Sequence, residues 1–183
     1  KLLPKTPLYI TILRDPVERV ISLFKYIRRQ ESHPLYSQVM GMNLREYAAW
    51  DIPHMPFDNK NRYTFDLGSR FAIRTPSDIK GVAPVRADME VIANERLDTF
   101  AFVGLTERFN DSVLLLSYIF GWEPILHFEN YKVAPIPTSR DDLPSATLET
   151  IIENNQQDIR LYEHGRRIFE SHWRQMVQAV FTL

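Results

Sequence analysis

Two residues of this chain, Arg14 and Ser22, are the best placed to do chemistry. Arg14 follows the short apolar run LYITIL, and Ser22 lies two turns into the helix that the next residues predict. Cationic and hydroxyl groups at the carboxyl end of a strand, beside a helix N-terminus, are typical of anion sites in α/β proteins. The spacing therefore predicts that both side chains contact one phosphate group, with Arg19 of the same helix as a further candidate.

A purely structural interpretation of these residues stays open. Arginines at strand ends often pair with an acid, and helical serines usually face solvent or a neighbouring carbonyl oxygen. Arg19 has two possible roles, since it either assists the phosphate or braces Asp15.

The surrounding residues predict a strand that turns directly into a helix. Residues 8–13 are apolar and rich in β-branched types, as expected for a strand covered on both faces. Asp15 is a good N-cap, Pro16 suits the first helical position, and Glu18 stands where a capping box places its acid. The helix then has an apolar stripe at helical spacing: Val17, Val20, Ile21, Phe24 and Ile27.

The string R-D-P-x-x-R-x-x-S-x-F, which begins at Arg14, resembles the 3′-phosphate-binding segment of sulfotransferases that use 3′-phosphoadenosine-5′-phosphosulfate (PAPS). It is most similar to the carbohydrate sulfotransferases, including the uronyl 2-O-sulfotransferases and their bacterial relatives. Three later segments resemble the same group in the same order: N-x-x-T-x-x-L from Asn61, G-L-T-E-R-F from Gly104 and D-x-x-L-Y from Asp158. In the first of these, Tyr63 and Phe65 replace the usual Gln and Arg.

The resemblance implies an α/β fold with a parallel sheet flanked by helices, of the P-loop NTPase-like sulfotransferase type. Residues 1–183 are then a single sulfotransferase-like domain. The implied activity moves a sulfuryl group from PAPS to a hydroxyl or amine of an acceptor, a carbohydrate by family analogy, and leaves adenosine 3′,5′-bisphosphate (PAP). No metal is implied.

The resemblance also assigns nucleotide-binding residues. Arg14 and Ser22 hold the 3′-phosphate. Residues 129–144 correspond to a loop that folds over the nucleotide, where Lys132, Ser139 and Arg140 are candidate contacts. Alternatively, this segment is a surface loop that caps the following helix.

One family feature is missing from the sequence. No glycine- and lysine-containing loop precedes Arg14 to hold the 5′-phosphosulfate. We therefore expect an N-terminally incomplete domain that is inactive alone, with unknown catalytic residues upstream. Two alternatives follow: a homologue that binds nucleotide or glycan without turnover, and a kinase-like domain with the same strand–arginine–helix pattern.

Composition limits the partners and the location. The net charge of −1 over 183 residues gives no general electrostatic basis for nucleic-acid binding. The first 29 residues carry seven Lys and Arg against two acids, which suits an anionic nucleotide or sugar. The chain has no cysteine, its five histidines lack metal-ligand spacing, and it has no apolar run of membrane-spanning length. Without disulfides, a bacterial, cytoplasmic protein is predicted.

Periodicity predicts alternating strands and helices. Residues 51–84 are predicted as a long irregular excursion, either an acceptor-groove loop or an insertion. The remaining predicted elements are strands at 9–13, 100–105 and 125–128, and helices at 16–30, 43–50, 85–97, 107–120 and 146–180.

Overall fold

The two strands that the sequence predicts with the most apolar runs pair with each other. A computed structural model describes residues 7–53, 58–69, 87–124 and 139–182. In it, β1 (Ile10–Leu13) and β2 (Phe102–Leu105) are parallel, with Ile10 opposite Phe102 and Leu13 opposite Leu105. Helices surround this small sheet, which confirms the α/β class. The predicted strand at 125–128 lies outside the described residues.

The helix after β1 begins at the residue that the sequence predicts and buries the predicted face. Helix α1 covers Pro16–Arg29, and the Asp15 side chain accepts hydrogen bonds from the amides of Val17 and Glu18. Its apolar stripe is buried, as the spacing predicts. The other helices are α2 (Tyr36–Met40), α3 (Leu44–Ala49), α4 (Arg62–Gly68), α5 (Ala87–Asp98), α6 (Phe109–Phe120), α7 (Ser145–Asn154) and α8 (Gln156–Phe181).

The prediction of an irregular segment over 51–84 is wrong in part, because α4 lies within it. Helix α4 follows Asn61, whose φ of 47° is left-handed, and no side chain of its own segment caps its first turn. The short helix α2 was not predicted either. The helix predicted at 107–120 instead starts as a 3₁₀ turn over Thr106–Arg108, and Gly121 ends it with φ of 65°, as expected for a C′ glycine.

Two apolar clusters hold these elements together. One lies between α1, α3 and α7 and includes Phe24 and the fully buried Tyr47. The other joins both strands to α5, α6 and α8. Helix α8 approaches the sheet closely at Gly165, since a Cβ there would lie 2.5 Å from Leu13 Cδ1.

Strand β1 is less covered than its sequence predicts. All of β2 is buried, but Tyr9, Ile10 and Ile12 are 54%, 52% and 40% exposed. The expectation that this strand is covered on both faces is therefore wrong for the described part of the chain. Its sequence is that of an interior strand, and its position here is at the edge of a two-stranded sheet.

Candidate anion-binding site

The carboxyl ends of β1 and β2 bring two short polar segments side by side. Arg14 and Asp15 follow β1, and Thr106 and Glu107 follow β2. The Thr106 hydroxyl donates to the Leu13 carbonyl oxygen at 3.1 Å, and the amide of Asp15 donates to Glu107 Oε1 at 2.8 Å. These bonds fix the backbone at the edge of the sheet where α/β proteins bind ligands.

The first turn of α1 is not itself an open anion site. Pro16 has no N–H to offer, and the amides of Val17 and Glu18 both donate to Asp15 Oδ1, at 2.9 and 3.1 Å. An anion bound at this place would therefore be held mainly by side chains.

Arg14 is the first of those side chains. Its backbone amide donates to the Tyr63 hydroxyl at 3.2 Å, which fixes the backbone independently of the side chain. Its side chain is 36% exposed, and its guanidinium lies 3.7 Å from the Glu18 carboxylate. This distance exceeds that of a good hydrogen bond, so the pairing is weak and Arg14 can turn toward a stronger anion.

Arg140 reaches the same place from the far end of the sequence. Its amide donates to Glu18 Oε1 at 2.7 Å, and its guanidinium lies 3.6 Å from Asp15 Oδ2. The structure therefore places two arginines at the α1 N-terminus. Ser22 lies one turn beyond Glu18 on α1 and is half-buried, and its hydroxyl makes no hydrogen bond to the described residues.

The other candidate nucleotide contacts have different positions. The Ser139 amide and hydroxyl both donate to Asp142 Oδ2, at 2.8 and 3.1 Å, so this serine caps the 3₁₀ turn Arg140–Asp142. The alternative interpretation, in which this loop caps the following helix, is not met either, because α7 has Pro144 at its N-cap position and no side-chain hydrogen bond from that residue. Lys132 lies outside the described residues.

Arg19 points away from Arg14 and into the protein. Its side chain is 13% exposed and donates to the Asp58 carbonyl oxygen at 2.8 Å, and it lies 4.0 Å from the buried carboxylate of Asp158. Its guanidinium also covers the Tyr63 ring, 5.4 Å from the ring centre. The expected alternatives for Arg19 were the phosphate or Asp15, and among the described contacts it braces Asp158 instead.

Asp158 connects two helix N-termini. Its carboxylate accepts hydrogen bonds from the amides of Tyr63 and Thr64 at 3.0 and 2.8 Å and so caps α4. In return, Asn61 Oδ1 accepts from the amides of Gln157 and Asp158 at 3.1 and 3.2 Å and caps α8. Burial raises the pKa of the Asp158 carboxyl above its ordinary value, while Arg19 and the two amide donors oppose the shift.

Glu107 and Tyr63 position Arg14, and the sequence alone did not assign them this task. Besides the Asp15 amide, the Glu107 carboxylate accepts a 2.9 Å hydrogen bond from the Tyr162 hydroxyl. Burial, and then the negative charge of Glu107, raise the pKa of Tyr162, so this tyrosine stays neutral and donates. The Tyr63 hydroxyl and the Glu107 carboxylate thus accept hydrogen bonds from the consecutive amides of Arg14 and Asp15, between β1 and α1.

We expect a measurable energetic coupling between Glu107 and Tyr162. Removing either partner with Glu107→Ala or Tyr162→Phe should lower the free energy of unfolding by about 1–2 kcal/mol, because each breaks a charge-assisted hydrogen bond and Glu107→Ala leaves the buried Tyr162 without its acceptor. The double variant should reveal a coupling of about 1 kcal/mol in a denaturant-based mutant cycle. Strictly additive effects would show that the hydrogen bond contributes nothing.

The described residues contain neither a candidate metal cluster nor a candidate membrane-spanning helix. Among the described residues, there is no group of three or more His, Asp or Glu that could hold a metal ion. In the same part of the chain, no helix combines the length and the apolar character needed to cross a membrane.

Comparison with known proteins gives one family and several relatives. The family model for galactose-3-O-sulfotransferases matches residues 1–181. Mouse galactose-3-O-sulfotransferase 3 is 24% identical over 98% of this chain and 40% of its own length. Human heparan-sulfate 6-O-sulfotransferase 1 is 25% identical over 93% of this chain and 45% of its own length. No solved structure matches the chain.

These relatives overturn the predicted location. The chain spans about 40% of the length of the first curated relatives, and those relatives are Golgi-resident enzymes. The prediction of a cytoplasmic protein is therefore wrong. It depended on the lack of cysteine, which excludes disulfides from this sequence but does not determine the compartment.

Proposed function

Because this chain belongs to the galactose-3-O-sulfotransferase family, we propose that it holds the 3′-phosphate of PAPS in an enzyme that sulfates a carbohydrate hydroxyl. One observation carries the proposal. Arg14 and Arg140 both lie at the α1 N-terminus, where they face Glu18 and Asp15 at the carboxyl edge of the parallel sheet, and Ser22 follows Glu18 by one turn. Two cations and a hydroxyl suit a phosphate dianion.

The described residues would act by binding and orientation. Bound PAPS supplies an activated sulfuryl group, which passes in line to the acceptor oxygen while the bond to the nucleotide phosphate breaks. Arg14 and Arg140 would fix the nucleotide at its 3′-phosphate and so fix the position of its other end. Ser22 would donate a hydrogen bond from its hydroxyl to a phosphate oxygen. We assign no base to the described residues.

Glu18 and Asp15 would set the resting state of this site. Each carboxylate lies within 4 Å of one of the two guanidinium groups, so the positive charge is balanced before the ligand arrives. A dianion would compete with these carboxylates for the arginines. Because both contacts are longer than 3.5 Å and partly exposed, their loss would cost little.

The chain would be one part of a larger P-loop-type sulfotransferase domain. The exposed apolar side chains of β1 support this extension, since they fit an interior strand that has further structure against it. The relatives that the chain matches are more than twice its length, which leaves room for such structure. In this arrangement the 5′-phosphosulfate and the catalytic base would be held by residues outside this sequence.

A ligand comparison tests the assignment. In calorimetric titrations of the protein, we expect adenosine 3′,5′-bisphosphate to bind at least about 100-fold more tightly than 5′-AMP, because only the bisphosphate offers a 3′-dianion to two arginines. ATP should behave like 5′-AMP. Equal affinities for the bisphosphate and 5′-AMP would refute the 3′-phosphate site, and preference for ATP would favour the kinase-like alternative.

A further inference from the structure

A groove lies at the amino ends of the two strands, opposite the end of the sheet that carries the proposed nucleotide site. It has a volume of about 560 Å³ and combines an aromatic residue, basic side chains and a hydroxyl in its wall. The lining residues are Asp98, Phe100, His164, Arg167, Ile168, Ser171 and His172. The site proposed for the nucleotide involves none of them.

The strand direction separates this groove from the nucleotide site. Phe100 comes just before β2, and the amide of Ala101 donates to the carbonyl oxygen of Tyr9, which comes just before β1. The groove is therefore at the amino ends of two parallel strands whose carboxyl ends carry Arg14 and Glu107. Four residues of strand put roughly 13 Å between the two edges.

The groove wall belongs to a basic stripe on α8. Five polar residues recur at i, i+4, i+7, i+11 and i+14 and so share one face of this helix. Two of them have acidic partners: Arg160 donates to Glu90 at 2.6 and 2.7 Å, and His164 lies 2.6 Å from Asp98. The full stripe is Arg160, His164, Arg167, Ser171 and Arg174.

Arg167 and Arg174 are the part of the stripe that remains available. Both are exposed, and neither has an acidic partner among the described residues. They are two helical turns apart, roughly 10 Å along the axis. A polymer with regularly spaced negative groups can contact both at once.

An aromatic surface adjoins these cations. The Phe100 ring lines the groove and stacks on the Tyr9 ring, with the ring centres 5.6 Å apart. With Ile168 in the groove wall, this surface offers an apolar contact next to charge-assisted hydrogen bonds from arginine. Flat sugar faces and their acidic substituents need such a combination of surfaces.

We propose that this groove binds an acidic saccharide chain through its carboxylate or sulfate groups, away from the sugar that reacts. The choice of a saccharide as ligand rests on the proposed function. The stripe on α8 would hold a distal stretch of the acceptor polymer, so that affinity for long acidic acceptors exceeds affinity for short ones. Guanidinium groups bind carboxylate and sulfate in the same forked geometry.

A charge-matched pair of variants tests the groove in the full-length protein. We expect Arg167→Gln to weaken binding of a heparin-derived oligosaccharide about tenfold, because it removes one charge-assisted contact. Arg29→Gln, which removes an equally exposed arginine from the end of α1, should leave the affinity unchanged. Ser171→Asp should weaken binding at least as much as Arg167→Gln, since it adds a negative charge to the groove.

Additional ligands separate this proposal from the nucleotide site. Arg14→Ala should leave oligosaccharide affinity unchanged, and Arg167→Gln should leave adenosine 3′,5′-bisphosphate affinity unchanged. A desulfated but uronate-containing oligosaccharide shows whether carboxylates suffice. Equal affinities of Arg167→Gln, Ser171→Asp and the unaltered protein for the heparin-derived oligosaccharide would overturn the proposal. An oligonucleotide of equal charge that binds more tightly would also overturn it, and would assign the groove to nucleic acid.

Discussion

Replacing Asp158 by alanine is expected to lower the free energy of unfolding by about 3–5 kcal/mol, the typical cost of removing one partner of a buried ion pair. Asp158 is completely buried, and its carboxylate holds the amides of Tyr63 and Thr64 while Arg19 lies 4.0 Å away. Alanine would leave two amides without acceptors and a buried guanidinium without its counter-charge. The effect can be measured by denaturant unfolding.

Asp66→Ala is the matched control for this prediction. Asp66 lies on α4 and pairs with Arg62 at 2.8 Å, but it is exposed. We expect a change within about 0.5 kcal/mol, because an exposed pair of this kind contributes little. If Asp158→Ala cost no more than Asp66→Ala, the reciprocal caps of α4 and α8 would not be a main support of this region.

The same carboxyl sets a direction for pH dependence. A raised pKa means that the folded state keeps the Asp158 proton at pH values where the unfolded state has released it. The unfolding free energy therefore falls as the pH rises from the ordinary aspartate pKa through the raised one. Burial also raises the pKa of Asp58, so replacing Asp158 alone would reduce this pH slope without removing it.

Local sequence patterns predicted the parts of the fold that depend on neighbouring residues. The strand β1, the Asp15 cap, the buried stripe of α1 and the Gly121 end of α6 each follow from a few adjacent residues. The likeness to carbohydrate sulfotransferases followed from the string at Arg14 and is confirmed by the family match. The alternative of a binding module without turnover is not favoured, because the relatives carry enzyme names.

The features that sequence reasoning missed depend on distant contacts. The first turn of α4 is capped by Asp158, which lies 94 positions beyond Thr64 in the sequence. Asn61, the left-handed residue just before α4, instead caps the first turn of α8. The segments N-x-x-T-x-x-L and D-x-x-L-Y therefore support each other in space, although neither predicts the other. Likewise, Tyr63 and Glu107 act on the Arg14–Asp15 backbone only because the chain returns to β1.

Arg14→Ala is expected to weaken binding of adenosine 3′,5′-bisphosphate at least about 100-fold while leaving the melting temperature nearly unchanged. A forked contact with a phosphate dianion involves two charge-assisted hydrogen bonds, each worth about 1.5–3 kcal/mol. The resting contact with Glu18, in contrast, is 3.7 Å long and partly exposed, and Tyr63 holds only the backbone of residue 14. Binding is measured by calorimetry and folding by thermal unfolding.

Three further substitutions make this prediction specific. Arg14→Lys should lose about tenfold in affinity, because lysine keeps the charge but not the fork. Arg29→Ala removes an exposed arginine from the far end of α1 and should leave binding intact. Arg19→Ala should instead lower the melting temperature, since Arg19 is buried against Asp158 and the Asp58 carbonyl oxygen. If Arg14→Ala bound the bisphosphate as tightly as Arg29→Ala did, the phosphate would have to be held elsewhere, and the arginines around the α1 N-terminus would only pair with Asp15 and Glu18.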